Sequence, residues 1–415
     1  MLKRIAAIAF IFICTAIAWG ILGATIFARS NSPRLGSLSD TVASNWGSPQ
    51  TQVPPSASYF VERPKTDVRT EDGKTITHQV NEMVALPLPL EKSRIDVNLN
   101  LTHRQKGLLW FSTYAVDFSG VYTFRNITAS EQATTVTVDF PAAQAIYDDL
   151  TVLVDGKPAA LSTGAGNATT TVSVPAGQPI VVTFAYRSQG LDNWSYKFGK
   201  SSDDVSQVKD FVLNMKTNFK AIDFPQNTLS PTEKHETDSG WALSWTYKNL
   251  LSGLELGMAM PEHLQPGPLA GEISFFAPVS LFFFFFLMFI LTTLRDIDLH
   301  PMNYFFLATA FFAFHLLLAY LVDHISIYLA FAICSAVSVF LVVSYLRLVV
   351  GMRFAAVEAG GAQFLYLVLF SFAFFFKGFT GLAITIGSIL TLFAVMQMTG
   401  RINWREKFAT LGKWK

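Results

Sequence analysis

The sequence is poor in cysteine, in charge of one sign and in the short motifs of known enzyme chemistries. Cys14 and Cys334 are the only cysteines among 415 residues, which excludes a disulfide framework and a zinc cage of thiolates. Lys and Arg number 31 and Asp and Glu 30, so the positive charge that nucleic-acid binding needs is missing. No Walker-type loop, G-x-S-x-G or H-E-x-x-H occurs. We therefore expect no nucleic-acid partner, no cofactor or metal, and no enzymatic activity.

Apolar residues, in contrast, are abundant and unevenly placed. They make up 51% of the chain, Phe alone contributes 38 residues, and the long apolar runs gather at the two ends. This distribution excludes one ordinary soluble domain. It indicates a protein that spans a membrane.

The first apolar run predicts a membrane anchor. It extends from Ile5 to Phe27 without a charged residue and follows Lys3 and Arg4. A cleaved signal peptide is the alternative, because Ala16-Ile17-Ala18 has the form of a cleavage site. Signal cores usually run about 7–15 residues, and this run continues past that site. We therefore expect the anchor to be retained.

The second apolar block predicts five more spans, separated by charged and turn residues such as Glu358-Ala359-Gly360-Gly361. The fourth of these spans, Ala362 to Phe376, would reach only about 22 Å, so a re-entrant hairpin is an alternative to a full crossing. The predicted spans are Ile273–Leu294, Met302–Val322, Ile325–Val350, Ala362–Phe376 and Thr380–Thr399.

The basic residues beside short loops predict the orientation of these spans, because cytoplasmic flanks carry an excess of Lys and Arg. With Lys3 and Arg4 inside, six crossings place Arg295, Arg347 and the basic tail after Thr399 on the same side. Lys377 would then lie outside. Both termini are therefore predicted to be cytoplasmic, and the tail is expected to contact anionic lipid of the bilayer.

The segment between the two apolar regions predicts an extracytoplasmic β-rich domain. Short stretches of alternating or β-branched residues recur along it, with turns such as Asp155-Gly156 and Pro175-Ala176-Gly177 between them. This spacing predicts an antiparallel sandwich, with Asn126 to Phe198 forming one of two lobes. The fold class is thus an α+β membrane protein. Its predicted parts are an anchor (residues 1–28), a linker (29–58), the β-domain (59–270), five helices (271–400) and a basic tail (401–415).

Four ionisable residues in or beside the spans are candidate functional residues: His300, His315, Asp323 and His324. His315 lies inside a span, where an ionisable group is costly. Its structural role would be a hydrogen bond to a Ser, Thr or carbonyl of a neighbouring helix; a ligand or proton-relay role is the alternative. About 12–13 Å of helix separates His315 from Asp323 and His324, too far for a shared metal. Asp323 is expected to cap the helix beginning at Ile325.

Two short motifs mark the helical block. One motif opens the third span of the chain and another follows the last: the residues are Leu299, His300, Pro301, Met302, Tyr304 and Trp404. These motifs resemble those of the CreD family of bacterial inner-membrane proteins. His315 stands where an aromatic residue is expected, which is typical of a divergent member. The resemblance implies a multi-pass protein of the bacterial inner membrane, a periplasmic β-domain and a role in cell-envelope integrity or stress response. It implies no biochemical activity.

Three classes of function remain open from the sequence. The first is a non-enzymatic envelope protein whose β-domain binds a partner protein or a cell-wall component. The second is a transporter or lipid-handling protein with a site between the helices. Polar side chains within the spans would form that site, and they include Asn303, Thr309, His315, Ser338 and Gln363. A membrane enzyme is the third class, and no nucleophile and base can be paired from spacing alone.

Overall fold

The computed structural model describes residues 2–30, 41–71, 74–106, 109–142, 145–164, 166–199, 206–376, 378–400 and 402. The chain divides into two compact units. One contains strands and ends at His263, and the other contains the apolar helices. Lys377 lies outside the described residues, as do Trp404 and every other residue of the predicted basic tail except Ile402.

Among the described residues, the helical unit contains six helices that are long and apolar enough to cross a membrane. Helix α1 (Leu2–Ser30) includes the predicted anchor. The short helix α2 (Pro266–Phe275) precedes five further helices: α3 (Ala277–Leu294), α4 (Pro301–Leu321), α5 (Ile327–Val349), α6 (Phe354–Phe375) and α7 (Thr380–Thr399). The expected arrangement of one apolar helix followed by five is confirmed.

Helix α6 corrects the predicted break at Glu358-Ala359-Gly360-Gly361. These residues are helical, so the crossing begins at Phe354 and is long enough to span the bilayer without a re-entrant hairpin. Two π-helical segments, Phe354–Ala359 and Phe364–Leu369, flank the glycines. Gly360 serves close packing rather than a turn, because an added Cβ would lie 3.0 Å from Cγ2 of Val343.

The described strands of the β unit form three sheets. The largest has the strand order β14-β15-β13-β4-β5-β11-β7-β8, the second β3-β2-β6-β10-β9 and the third β1-β12-β16. Their strands are β1 (Gln50–Gln52), β2 (Ser56–Glu71), β3 (Lys74–Pro87), β4 (Leu90–Lys106), β5 (Leu109–Arg125), β6 (Gln132–Asp139), β7 (Tyr147–Val154), β8 (Lys157–Pro158), β9 (Ser162–Thr163), β10 (Asn167–Val174), β11 (Pro179–Leu191), β12 (Asn193–Tyr196), β13 (Ser206–Thr217), β14 (Glu233–Glu236), β15 (Trp241–Ser252) and β16 (Leu256–Ala259).

Alternating burial brings these sheets onto one core, as a sandwich requires. Along β11, Ile180, Val182, Phe184 and Tyr186 are buried while the residues between them are more exposed. They share a hydrophobic cluster with Val136 of β6 and with residues of β4 and β5. The β-sandwich is therefore confirmed, although β1 pairs with β12 and β4 with β13 in parallel.

The boundaries of the β unit differ from the predicted ones in two places. The predicted linker ends too late, since β1 and the start of β2 lie before residue 59 and pair with Trp194–Tyr196 and with β6. The predicted lobe from Asn126 to Phe198 is also not separate. Its strands β6 and β10 belong to the second sheet, while β7 and β11 belong to the largest. Pairing between distant strands, which composition does not report, sets both boundaries.

Candidate functional site

His315 is the most unusual polar side chain of the helical unit. It is 1% exposed, and neither Nδ1 nor Nε2 has a hydrogen-bond partner among the described residues. The ring lies instead among aromatic rings, with centroids 5.0 Å from Phe314, 5.8 Å from Phe311 and 5.7 Å from Trp19. The predicted hydrogen bond to a neighbouring helix is therefore wrong. A neutral imidazole leaves one donor and one acceptor without partners at this position.

Trp19 connects the first helix to this histidine. Its indole stacks on Phe312 with centroids 4.6 Å apart and planes at 11°, and its Nε1 donates to the carbonyl of Ser274 at 2.8 Å. The Ser274 hydroxyl is buried and likewise has no partner among the described residues. Gly23 permits the approach, since an added Cβ would lie 3.2 Å from the Ser274 oxygen. Helix α1 is thus packed into the bundle through polar and aromatic contacts.

The depth of His315 follows from its place in α4. It stands six residues before Leu321, the end of the helix, or about 9 Å along the helix axis. The ring lies in the third of the span nearest the turn that contains Asp323 and His324.

The other predicted site residues lie apart from His315. Asp323 and His324 are exposed in the turn after α4. The predicted capping role of Asp323 is wrong, because α5 begins two residues later than expected and its N-cap is Ser326, without a side-chain cap bond. In the region that the structure describes, no group of three or more His, Cys, Asp or Glu side chains could hold a metal ion.

The residues of the predicted motif form the start of α4. His300 is the N-cap, and its Nδ1 accepts a hydrogen bond from the backbone N–H of Met302 at 3.2 Å. Pro301 occupies the first turn, where its missing N–H costs nothing. Leu299 and Tyr304 are fully buried, whereas Met302 is exposed. The motif therefore fixes the entry and packing of this helix.

A carboxylate at the end of a span was missed from the sequence. Glu358 lies in the first π-helical segment of α6, and its side chain is 17% exposed. Its Oε1 accepts a hydrogen bond from Nη2 of Arg295 at 2.5 Å, and its Oε2 is buried without a partner among the described residues. The sequence placed Glu358 in a loop between two spans, where a carboxylate needs no partner within the protein. Its ion pair with Arg295 joins the end of α3 to the start of α6.

A second polar contact lies between α4, α5 and α6. The side-chain amide of Gln363 donates to the Ser338 hydroxyl at 2.8 Å, and that hydroxyl donates to the Ala310 carbonyl at 3.1 Å. Both side chains are fully buried. Contacts of this kind hold helices together in lipid.

The β unit brings together two histidines that are isolated in the sequence. His103 of β4 and His263 have ring centroids 5.3 Å apart, and His263 stacks on Trp110 at 4.4 Å. Nε2 of His103 lies 2.9 Å from the Pro261 carbonyl, which can only accept, so this nitrogen carries the proton. The Ser112 hydroxyl donates to the same carbonyl at 2.8 Å. These contacts fix the segment at which the β unit ends.

Two carboxylates are associated with the same segment. The backbone carbonyl of Asp192 accepts a hydrogen bond from the N–H of Met260 at 2.7 Å. Partial desolvation of the Asp192 carboxyl, and then repulsion from Glu262, raise its pKa above the usual value. The sequence gives no sign of this cluster, because its members come from distant strands and loops.

The longest hairpin of the β unit forms a two-stranded ribbon. Strands β2 and β3 pair with each other from Ser58 with Pro87 to Glu71 with Lys74, but β2 pairs with β6 only from Ser56 to Tyr59. Beyond Tyr59 the ribbon continues for about 40 Å, with no third strand among the described residues. We name residues 60–71 and 74–85 the β-ribbon. Its two outer edges are available for pairing.

The base of the β-ribbon carries an exposed apolar surface. Phe60 is 51% exposed and Met83 is 57% exposed. Phe60 pairs with Ala85, and Met83 with Glu62, so all four side chains lie on one face. The cross-strand ion pair between Lys65 and Glu82, at 3.1 Å, lies further along. An exposed apolar face beside open strand edges has the properties of a protein-binding surface.

Comparison with known families adds a relationship for the helical unit. The model of the family described as inner membrane protein CreD matches residues 273–405. This part of the chain is similar to the CreD family. The match begins within α2 and covers α3 to α7, so it contains His300, His315, Asp323 and His324. The chain is therefore a multi-pass inner-membrane protein, and its β unit lies outside the CreD match.

Solved structures resemble this chain only weakly. A nutrient-binding protein of Legionella pneumophila is 13% identical, with a TM-score of 0.32 over 48% of this chain and 74% of its own. An M1 zinc metallopeptidase of Deinococcus radiodurans is 10% identical, with a TM-score of 0.27 over 41% and 42%. Yeast LTA4 hydrolase is 9% identical, with a TM-score of 0.21 over 41% and 29%. These similarities carry no conclusion about activity. No curated protein sequence matches the chain.

Proposed function

We propose that this chain is a non-enzymatic protein of the cell envelope whose β-domain faces the periplasm and binds a partner protein or a cell-wall component there. The β-ribbon is the observation that supports this function. No described strand pairs with either of its edges beyond Tyr59, and it carries Phe60 and Met83 on an exposed face. Open edges of this kind pair with extended segments of other proteins.

The distribution of charge supports the periplasmic location of the β-domain. Arg295 follows α3, Arg347 lies in the last turn of α5 and Arg353 precedes α6. Six crossings place these three residues on one side, which the excess of basic residues assigns to the cytoplasm. The β-domain, which lies between the first and second crossings, is then on the opposite side.

The physical basis of partner binding is the incomplete pairing of the β-ribbon. A two-stranded ribbon has few contacts of its own, and a third strand would satisfy the backbone groups along one edge. Burial of Phe60 and Met83 against the partner would add an apolar contribution. Protein segments that can extend along an edge are thus the favoured partners.

Removal of the ribbon tests this function. Replacing residues 64–81 with Asn-Gly joins Arg63 to Glu82 through a two-residue turn and keeps the pairing of Ser56–Tyr59 with β6. The variant is produced in cells that lack the native chain, and growth under cell-wall-active antibiotics is measured. We expect loss of protection with unchanged membrane insertion.

A control variant keeps the ribbon but removes its ion pair. Lys65→Ala with Glu82→Ala costs at most about 1 kcal/mol, since both side chains are exposed. This variant should protect cells as the native chain does. Full protection by the chain without residues 64–81, at native abundance, would refute a role for the ribbon.

One observation favours a second function, the handling of a lipid or another solute within the helix bundle. His315 keeps a buried donor and acceptor without a partner in the described part of the chain. Burying a donor and an acceptor without partners costs free energy. A hydrogen bond to a polar group of a bound solute would offset that cost. A His315→Leu variant that inserts normally but fails to protect cells would support this function, and normal protection would exclude it.

A further inference from the structure

A crevice of about 370 Å³ lies between α6 and α7 in the helical unit. Its walls include Leu365 and Leu369 of the second π-helical segment, and Ile384, Gly387 and Leu390 of α7. Gly387 and Leu390 stand seven and ten residues after the start of α7, or about 10–15 Å along a helix of about 30 Å. The crevice therefore lies at the depth of the hydrocarbon chains.

The hydroxyl groups in the wall are satisfied within the protein. The Tyr366 hydroxyl donates to Oγ1 of Thr391 at 2.8 Å, and Thr391 donates to the Gly387 carbonyl at 2.8 Å. The Ser388 hydroxyl donates to the Ile384 carbonyl, also at 2.8 Å. The remaining walls are apolar side chains and glycine. A hydrocarbon fits this lining, whereas a polar solute would lose hydrogen bonds on entering it.

The packing of α7 is sparse on the side that forms the crevice. Thr391 and Val395 are its only buried residues among those described. Leu390 is 61% exposed, and Leu365 and Leu369 are also exposed, so the crevice is continuous with the lipid-facing surface of both helices. At this depth, lipid chains are the medium that reaches the opening.

We propose that the crevice binds one hydrocarbon chain of a membrane lipid, which packs between α6 and α7 and holds α7 to the bundle. The ligand class is a long acyl or polyprenyl chain, and its headgroup lies outside the crevice. This site uses different residues from the β-ribbon and from His315, and it does not depend on the function proposed for either.

Two photoreactive lipids test the site in the full chain, reconstituted in nanodiscs. One is a phosphatidylethanolamine with a diazirine in an acyl chain, and the other is a polyprenyl phosphate with a diazirine in its chain. We expect cross-links to concentrate on peptides containing Leu365, Leu369 and Gly387. The lipid that labels these peptides more strongly identifies which lipid class supplies the bound hydrocarbon. Labelling by either lipid that is spread evenly over the exposed faces of the spans would overturn the proposal.

Substitution of Gly387 closes the crevice without strain. An added Cβ at Gly387 meets nothing within 4 Å, so Gly387→Leu places a side chain in the space of the lipid. Gly381→Leu is the matched control, because Gly381 has the same free space but does not line the crevice. Cross-linking should be lost in Gly387→Leu and kept in Gly381→Leu.

Two further measurements separate loss of the site from loss of folding. Ala383→Leu fills the crevice from another position and should also abolish the cross-links. Removal of lipid should make α7 of the native protein accessible to protease. Gly387→Leu should reduce this effect, because the leucine side chain fills the space of the lipid hydrocarbon. Unchanged cross-linking in both crevice variants would overturn the proposal.

Discussion

Replacing His315 with leucine should stabilise the helix bundle. The imidazole is buried among Trp19, Phe311 and Phe314, and its two nitrogens have no partner among the described residues. Leucine has a similar volume and no polar atom. The substitution therefore removes the cost of two unsatisfied groups and keeps most of the packing.

The expected gain follows from the cost of such groups. A buried donor or acceptor without a partner costs about 1–3 kcal/mol. In a membrane, the polar groups of the unfolded chain also find hydrogen-bond partners. Measured contributions of single hydrogen bonds to stability therefore average only about 0.6 kcal/mol. We therefore expect a net gain of about 1–3 kcal/mol for the pair. Each kcal/mol raises Tm by about 2–4 °C for a unit of this size.

The buried thiol of Cys334 provides the assay. Cys334 is fully buried in α5, whereas Cys14 is exposed on α1, so a Cys14→Ser background leaves one thiol that reacts only when the bundle opens. The protein is heated in detergent with a thiol-reactive dye. His324→Leu is the control, because His324 is exposed and its replacement should leave Tm unchanged. A lower Tm for His315→Leu would refute the reasoning, since it would mean that the ring has a bound partner.

Three other substitutions test separate contacts. Arg295→Ala should destabilise the bundle by about 1–3 kcal/mol, because the carboxylate of Glu358 loses its cation. Glu358→Gln in the same chain should restore part of the lost stability. Additive effects of the two substitutions in the thiol assay would contradict the pairing. Asp192→Asn should flatten the pH dependence of β-domain unfolding in urea. The raised pKa of Asp192 makes the native chain lose stability as the pH rises through the titration of this carboxyl. An unchanged dependence of the unfolding free energy on pH would contradict this. Gly190→Ala should destabilise the β-domain by about 1–3 kcal/mol, because its Cβ would lie 2.2 Å from Cζ of the buried Tyr114; native resistance to protease would exclude the clash.

The spans could be predicted from the sequence because length and apolarity are local properties. The run from Ile5 to Phe27 and the block after Ile273 meet the requirement of a bilayer without reference to any partner. The break predicted at Gly360 was wrong for a physical reason. Glycine there admits Val343 rather than ending the helix, and only the neighbouring helix reveals that role.

The strands were predictable where burial alternates and unpredictable where pairing alone forms them. Ile180 to Tyr186 alternates clearly, so β11 was expected. Strand β2 contains Glu62, Arg63, Pro64 and Lys65, which are rare in buried strands, and it exists through its pairing with β3. Strand β2 was therefore missed, whereas the sequence from Thr75 to Ala85, within β3, does carry strand signals.

The candidate sites depended on contacts that join distant segments. His315 was identified from its place in an apolar run, but its lack of a partner could not be inferred. The pairing of His103 with His263 and of Arg295 with Glu358 joins residues from separate segments. Spacing along the chain carries no information about such pairs.

Photo-cross-linking from the base of the β-ribbon in living cells tests the proposed function most directly. A photoreactive amino acid is placed at Met83, and at Leu251 as the control, since both are exposed on the β-domain but only Met83 lies on the ribbon. We predict a discrete adduct with a periplasmic protein or cell-wall component from position 83 and none from position 251. Adducts with cytoplasmic proteins, or the same adducts from both positions, would contradict the proposal.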